Sequence, residues 1–227
     1  QSLEVLEHLG HRGAAGSDPL TGDGAGITVQ MPHEFFVAES KKLNFILPDK
    51  GLYAVAMCFL PNDNDINSKI KKIIEKTASE NGLKIITWRN VPINPSEIGK
   101  SAKSLMPRIE QLIVQSTKNS SGDDFERSLY LTRKTCENQV KRINSNEDLK
   151  DIINREFYIC SWSSRTIIYK GMLLVDQLRK FYPDLSNKNF NSAFGLVHSR
   201  FSTNTLGSWK LAHPYRMLAH NGEINTV

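Results

Sequence analysis

Two stretches near the end of the sequence carry residue types that suit the binding and transformation of an amino acid. Residues 198–205 read His-Ser-Arg-Phe-Ser-Thr-Asn-Thr, and residues 218–226 read Leu-Ala-His-Asn-Gly-Glu-Ile-Asn-Thr. The guanidinium of Arg200 can hold a carboxylate through two parallel hydrogen bonds. The side-chain amide of Asn221 and the backbone N–H of Gly222 can stabilise an oxyanion. We therefore predict that both stretches end extended segments and that they meet at one catalytic site.

Apolar patterning predicts the elements that position these residues. The predicted strands are residues 25–31, 52–60, 83–91, 108–117, 157–163, 166–169, 193–201 and 215–220, and the predicted helices are residues 32–43, 63–81, 122–144, 148–154 and 173–181. Residues 2–10 have the pattern of an amphipathic helix that a glycine closes, and residues 11–26 have the composition of a structured loop. Several strands are apolar on both faces, which favours stacked sheets covered by helices. Because no repeat or linker interrupts the pattern, we expect one domain over residues 1–227.

Composition limits the classes of function. The chain has 227 residues, 39% of them hydrophobic, which is enough for one sizeable core or at most two small ones. Its formal net charge is +5. No basic run alternates with aromatic residues, so we expect no nucleic-acid partner despite a pI near 9.1. The apolar runs are too short to span a bilayer, so no membrane association is expected either.

The three cysteines form no Cys-x-x-Cys pair, which argues against a disulfide framework or a cysteine metal site. Cys58 and Cys160 lie in apolar strands and are predicted to be small core residues. Cys136 follows basic residues on a polar helix, and we expect it on the solvated surface. His8 and His11 have no evident third ligand, so the sequence predicts no metal site.

The motif strings resemble the class II glutamine amidotransferase domain found in glutamate synthases. The resemblance rests on residues 11–14 (His-Arg-Gly-Ala), residues 21–26 (Thr-Gly-Asp-Gly-Ala-Gly), residues 198–205 and residues 217–226, and it is looser between residues 62 and 154. It implies an α+β N-terminal-nucleophile (Ntn) hydrolase fold, a four-layer αββα sandwich that we expect to be incomplete at both ends of this sequence. Residues 21–26 precede a predicted strand, so they do not match a dinucleotide-binding loop, and their glycines are expected to serve close packing or positive φ.

The resemblance also implies roles for individual residues. Arg200 would bind the α-carboxylate of glutamine, and Asn221 with Gly222 would form the oxyanion hole. Thr203 would add backbone contacts to the substrate. Arg12, His198 and His220 would support the site. The family's nucleophile is an N-terminal cysteine whose own α-amine is the base, and we expect it upstream of Gln1, so that the fragment alone would be inactive.

For the parent protein, the resemblance implies hydrolysis of L-glutamine and transfer of the ammonia to a synthase domain of the same chain, where 2-oxoglutarate is reductively aminated. It implies FMN and an iron–sulfur cluster there, with ferredoxin or a small NAD(P)H-binding subunit as electron donor, in the bacterial cytoplasm or the plastid stroma. No ligand for these cofactors is evident in this sequence.

Two alternatives remain open at this stage. One is another class II amidotransferase, which delivers ammonia to a phosphoribosyl or sugar-phosphate acceptor. The other is a non-catalytic module that binds an amino acid or a partner domain. Taken singly, an arginine at a strand end often pairs with a surface acid, and Asn-Gly often marks a hairpin turn. Their joint occurrence within long matching strings favours the catalytic interpretation.

Overall fold

The computed structural model describes residues 3–4, 18–118, 120–143, 147–200 and 207–216. Within them the strands are β1 (Ala25–Gln30), β2 (Tyr53–Leu60), β3 (Leu83–Asn90), β4 (Arg108–Ser116), β5 (Tyr158–Ser163), β6 (Thr166–Gly171) and β7 (Gly195–Ser199). The α-helices are α1 (His33–Lys42), α2 (Asn64–Glu80), α3 (Lys100–Ser104), α4 (Gly122–Lys141), α5 (Glu147–Glu156) and α6 (Leu178–Phe181). Short 3₁₀ turns cover Pro95–Glu97, Val175–Gln177 and Pro183–Ser186. Most predicted elements are confirmed to within a few residues at their ends.

The strands form two antiparallel sheets. One sheet has three strands in the order β6-β1-β7, and the other has four in the order β3-β4-β2-β5. The hairpin between β5 and β6 joins them, because β5 belongs to the larger sheet and β6 to the smaller one. The α+β class and the stacked sheets predicted from the sequence are therefore confirmed.

Strand β2 shows why the sheets stack with helices on the outside, since all eight of its residues are buried. Tyr53, Val55, Met57 and Phe59 face an inter-sheet core that also holds Ala25, Ile27 and Val29 of β1. Ala54, Ala56, Cys58 and Leu60 face a second core that holds Ile70 and Ile74 of α2 and Phe125 and Leu129 of α4. Alternation along a strand sends successive side chains to opposite faces, so an all-apolar strand requires cover on both sides.

A buried polar network crosses the inter-sheet core. Arg89 of β3 donates to Glu39 of α1 through Nε at 2.8 Å, and to Asp184 through both terminal nitrogens at 2.8 Å each. Its Nη1 also donates to Oε1 of Gln111 at 3.0 Å. The hydroxyl of Tyr169 on β6 donates to Asp184 at 2.9 Å and accepts from Nε2 of Gln111 at 2.9 Å. Because Tyr169 and Gln111 belong to different sheets, the network fixes one sheet against the other.

Two predicted elements need correction. The helix expected over residues 173–181 is only the 3₁₀ turn Val175–Gln177 followed by the single turn α6. The side chain of Gln177 accepts from the N–H of Leu174 at 2.8 Å and donates to the carbonyl of Leu20 at 2.9 Å, which holds this segment in a tight turn. The strand expected over residues 215–220 does not include Tyr215 or Arg216, and residues 217–220 lie outside the described part of the chain.

Candidate active site

Arg200 directly follows strand β7, as the sequence analysis expects. Its backbone N–H donates to the carbonyl of Gly24 at 2.7 Å, immediately before strand β1 begins. The antiparallel register pairs Ala25 with Ser199 and Gly26 with His198. Arg200 is half-buried. The backbone of the predicted carboxylate-binding residue is therefore fixed to the start of β1.

The glycines of residues 21–26 allow a second segment, residues 207–216, to approach β1 closely. Gly24 has a φ of +146°, and a Cβ placed on it would lie 2.9 Å from Cβ of Ala212. A Cβ on Gly26 would lie 2.5 Å from the carbonyl oxygen of His213. A side chain at either position would thus displace the loop 207–216, and the predicted role of these glycines in close packing and positive φ is confirmed.

Loop 207–216 is anchored by a buried tryptophan. Trp209 is 2% exposed, and its Nε1 donates to the carbonyl of Ala102 at 2.9 Å. A Cβ on Gly171 of β6 would lie 2.4 Å from the Trp209 ring, so the ring lies directly on the strand backbone. The ring also contacts Phe59 and Phe181 at centroid distances of 5.9 and 5.6 Å. The loop is therefore part of the packed core, although it has no regular secondary structure.

A histidine pair joins the loop to β7. The rings of His198 and His213 stack with their centroids 4.6 Å apart and an interplanar angle of 29°. The ring of Tyr215 also contacts His213, with the two ring centroids 4.3 Å apart. These three rings are therefore in contact near the end of β7, where His198 lies two residues before Arg200.

Lys170 of β6 holds the loop from the other side. Its Nζ donates to the carbonyls of Lys210 at 2.9 Å and Ala212 at 2.7 Å. Burial lowers the pKa of Lys170 to about 8, with the nearby Arg216 acting in the same direction and Cys160 against it. Lys170 is not among the residues predicted from the sequence to form the site. Its signal was a single cation at the end of the apolar run Ile167, Ile168 and Tyr169.

Of the predicted site residues, the structure describes Arg200 and His198. It places both at the end of β7, beside β1 and the loop 207–216. The remaining predicted residues lie outside the described part of the chain: Arg12, Thr203, His220, Asn221 and Gly222. Their convergence with Arg200 stays a prediction, although Asn221 follows the described residue Arg216 by only five positions.

The cysteines are core residues in the described structure. Cys58 and Cys160 are buried as predicted, but the prediction of a solvated Cys136 is wrong, since its exposure is 0%. Cys136 lies on the face of α4 that packs on the four-stranded sheet. Desolvation raises the pKa of Cys136 to about 12 and that of Cys160 to about 11. Thiols held in the protonated form are poor nucleophiles and poor metal ligands, so these residues fit neither role.

Comparison with known proteins identifies the family. The family described as "Glutamine amidotransferases class-II" matches residues 1–227. The chain belongs to the class II glutamine amidotransferases. The N-terminal-nucleophile (Ntn) hydrolase class predicted from the sequence agrees with the two stacked antiparallel sheets of the structure.

Three curated relatives of this amidotransferase chain illustrate the similarity. The "Glutamate synthase [NADPH] large chain" of Azospirillum brasilense is 46% identical over 228 residues, and that of Bacillus subtilis is 45% identical over 228 residues. The "Ferredoxin-dependent glutamate synthase, chloroplastic" of Oryza sativa is 40% identical over 226 residues. Each alignment covers 100% of this chain and 14% of the relative. The chain thus spans about one seventh of the length of these relatives. In the described residues, no helix is long and apolar enough to cross a membrane.

Proposed function

We propose that this chain is the glutamine-hydrolysing domain, over residues 1–227, of a glutamate synthase. The observation that carries the proposal is the similarity of the whole chain, at 40–46% identity, to proteins named as glutamate synthases of both the NADPH and the ferredoxin type. The same relatives do not favour an amidotransferase with a phosphoribosyl or sugar-phosphate acceptor. In the proposed reaction, water converts L-glutamine to L-glutamate and ammonia.

Arg200 is proposed to bind the α-carboxylate of glutamine. A planar guanidinium matches a carboxylate with two parallel donors and stays ionised at every relevant pH. Two observations support this role. The backbone N–H of Arg200 donates to Gly24, and loop 207–216 packs on the same glycine. Both contacts fix the backbone from which the Arg200 side chain extends. A backbone that is already fixed reduces the conformational entropy that is lost when substrate binds.

Asn221 and Gly222 are proposed to form the oxyanion hole. Donors that are already oriented toward the developing oxyanion lower the barrier to attack on the amide carbon. Thr203 is proposed to contact the substrate through its backbone. His198, His220 and Arg12 are proposed as supporting residues. The stacking of His198 on His213 supports a positioning role for His198.

The proposed nucleophile is a cysteine upstream of Gln1 that is the first residue of the mature protein. Its α-amine, with a pKa near ~8, would take the thiol proton at neutral pH. Attack of the thiolate on the side-chain amide carbon gives a tetrahedral oxyanion, and return of the proton to the amide nitrogen expels ammonia. Water then hydrolyses the thioester to glutamate and regenerates the thiol.

The ammonia is proposed to pass to a synthase domain of the same polypeptide, where 2-oxoglutarate is reductively aminated. FMN and an iron–sulfur cluster are proposed for that domain, with ferredoxin or a small NAD(P)H-binding subunit as electron donor. The described residues of this chain do not fit an iron–sulfur cluster, because its three thiols are buried and no group of three metal-ligating side chains is formed among them. The bacterial cytoplasm or the plastid stroma is proposed as the location.

The first test is Arg200→Ala in the complete protein. Loss of the carboxylate-binding guanidinium should reduce kcat/KM for glutamine by about a hundredfold or more, since a charged hydrogen-bonded pair is lost. Synthesis of glutamate from free ammonia should be unchanged, because it bypasses this site. Steady-state assays with the two nitrogen donors measure both effects. Equal loss with glutamine and with ammonia would contradict the assignment.

The second test is Asn221→Ala in the same protein. Loss of one oxyanion donor should lower kcat for glutamine by about 100- to 1000-fold and should leave KM nearly unchanged. Single-turnover hydrolysis of glutamine separates the chemical step from binding. A variant whose affinity falls while its chemical step is preserved would show that Asn221 binds substrate and does not stabilise the oxyanion.

A further inference from the structure

Lys170 is a buried cation that has no acidic partner among the described residues. It is 1% exposed and lies on β6 between Tyr169 and Gly171, where the sheet pairs it with Gly26 of β1. Within the described residues, no carboxylate lies within ion-pair distance of its Nζ, whereas the buried Arg89 has two. Buried lysines are costly because their ammonium group loses its hydration. A residue of this kind is expected to perform a specific task.

The contacts of the Lys170 ammonium define that task. It donates to the carbonyls of Lys210 and Ala212, at 2.9 and 2.7 Å. Its Nζ also lies over the rings of Tyr158 and Tyr215, 4.6 Å from each ring centroid. An ammonium has three donors and no acceptor, so it suits two converging carbonyls and the negative faces of aromatic rings. Lys170 therefore ties the loop 207–216 to strand β6.

The tied part of the loop is the part that reaches β1. Ala212, which accepts from Lys170, lies against Gly24, and the carbonyl of His213 lies against Gly26. Gly24 in turn accepts the backbone N–H of Arg200 at 2.7 Å. A continuous series of contacts thus connects the ammonium of Lys170 with the backbone of the proposed carboxylate-binding residue.

The same loop leads into the other half of the proposed site. Arg216 is its last described residue, and Asn221 and Gly222 follow five and six positions later. Arg216 is itself held by Glu137 of α4 at 3.3 Å and by the carbonyl of Ile159. Displacement of the loop would therefore move Arg216 as well as the backbone beside Arg200.

We propose that Lys170 is a positioning residue of the amidotransferase site, which holds loop 207–216 against β1 and β6 and thereby fixes the strand end that carries Arg200. This inference rests on the proposed function. Lys170 does not touch substrate. It acts through the carbonyls of Lys210 and Ala212, and its loss lets the loop lift from Gly24 and Gly26.

The test compares Lys170→Met, Lys170→Arg and a matched control in the complete protein. Methionine keeps the unbranched apolar stem but donates no hydrogen bond, whereas arginine restores a cation with several donors. Ile74→Val is the control, because Ile74 is fully buried in the helix-side core, away from the loop. Lys170→Met should raise KM for glutamine by about tenfold or more and lower kcat, with ammonia-dependent glutamate synthesis unchanged. Lys170→Arg should recover part of the loss, and Ile74→Val should have wild-type kinetics.

Two outcomes would overturn the inference. One is a Lys170→Met protein whose kcat and KM for glutamine remain within about twofold of wild type while its thermal stability falls. The other is an equal change in Ile74→Val, which would show that general destabilisation is responsible. If Lys170→Met does not accumulate as folded protein, Lys170→Gln, which keeps an N–H donor without the charge, is measured against the same criteria. Assays of wild type and Arg200→Ala in parallel separate the two hypotheses. A wild-type protein that does not use glutamine refutes the proposed function. Loss of glutamine-dependent activity in Arg200→Ala but not in Lys170→Met refutes only the role of Lys170.

Discussion

Two buried cations of this chain, Arg89 and Lys170, are desolvated to a similar extent but are compensated differently. They are 3% and 1% exposed. Arg89 contacts two carboxylates, those of Glu39 and Asp184, at 2.8 Å each. Lys170 contacts two backbone carbonyls and two tyrosine rings. In the part of the chain that the structure describes, one cation therefore meets full negative charges, and the other meets carbonyl dipoles and the faces of aromatic rings.

The difference appears in the proton affinities of the two groups. Burial alone would lower the pKa of Arg89, but its hydrogen bonds to Asp184 and the charge of that carboxylate raise the pKa above its ordinary value. Burial lowers the pKa of Lys170 from 10.5 to about 8, and no carboxylate of the described residues compensates for it. Full charges thus hold a buried cation in its ionised form, whereas carbonyl and ring contacts compensate only in part.

The two cations also join different kinds of structure. The contacts of Arg89 connect β3, helix α1 and the turn Pro183–Ser186 inside the inter-sheet core. Those of Lys170 connect a strand to a loop without regular structure that lies beside the proposed site. We infer that the Arg89 network mainly stabilises the fold, whereas Lys170 mainly positions the loop.

Arg89→Met should destabilise the chain more than any change at Lys170. Removal of the guanidinium leaves Glu39 and Asp184 buried without a counter-charge, which typically costs about 3–5 kcal/mol of unfolding free energy. Urea unfolding of the variant, compared with wild type at neutral pH, measures this difference.

The control for Arg89 is an exposed ion pair on α4. Arg127→Met removes a pair with Asp124 whose side chains are 71% and 82% exposed. Pairs of this kind contribute at most about 1 kcal/mol, so the variant should unfold close to wild type. If Arg89→Met is as stable as Arg127→Met, the buried network does not hold the sheets together and the contrast with Lys170 fails.

Much of the fold could be predicted from local patterns. All residues of β2 are apolar, and the apolar residues of α2 recur at helical spacing. Each pattern therefore indicates which faces of the element are buried. The same rule could have placed Cys136 correctly: Phe125, Leu129, Cys136 and Val140 recur at helical spacing and all face the sheet. The basic neighbours of Cys136 obscured that pattern, and the prediction of a solvated cysteine followed from them.

The long-range contacts could not be predicted in this way. Arg89 and Asp184 are separated by 95 positions, and no local pattern links them. The position of Arg200 at a strand end followed from its motif, but the close approach of loop 207–216 to Gly24 and Gly26 depends on how distant segments pack. Lys170 was missed for the same reason, because its partners are carbonyls, which every residue carries.

The smaller effect concerns pH and isolates Lys170. Between pH 8 and about 10.5, the unfolded chain keeps a proton on Lys170 that the folded chain has lost, so folding gains stability as pH rises through this window. Below pH 8 both states are protonated, and the full cost of burying the ammonium is present. The unfolding free energy of wild type relative to Lys170→Met should therefore increase with pH by up to about 3 kcal/mol.

The comparison with Lys170→Met is needed because other groups titrate in the opposite direction. The buried thiols have raised pKa values, so their contribution to the free energy of unfolding falls as pH rises. Because both proteins contain these thiols, that contribution cancels when the two are compared. Among the described residues, the titratable and charged groups that face Lys170 are Cys160, Arg216, Tyr158 and Tyr215. Burial raises the pKa of Cys160 to about 11 and that of Tyr158 to about 12, so neither ionises in the folded chain before the window ends.

Urea unfolding of both proteins at intervals from pH 7 to about pH 10 measures how the difference in unfolding free energy depends on pH. A difference that stays flat across this range would mean that Lys170 keeps its ordinary proton affinity, and the carbonyl and ring contacts would then compensate for burial as fully as the carboxylates around Arg89.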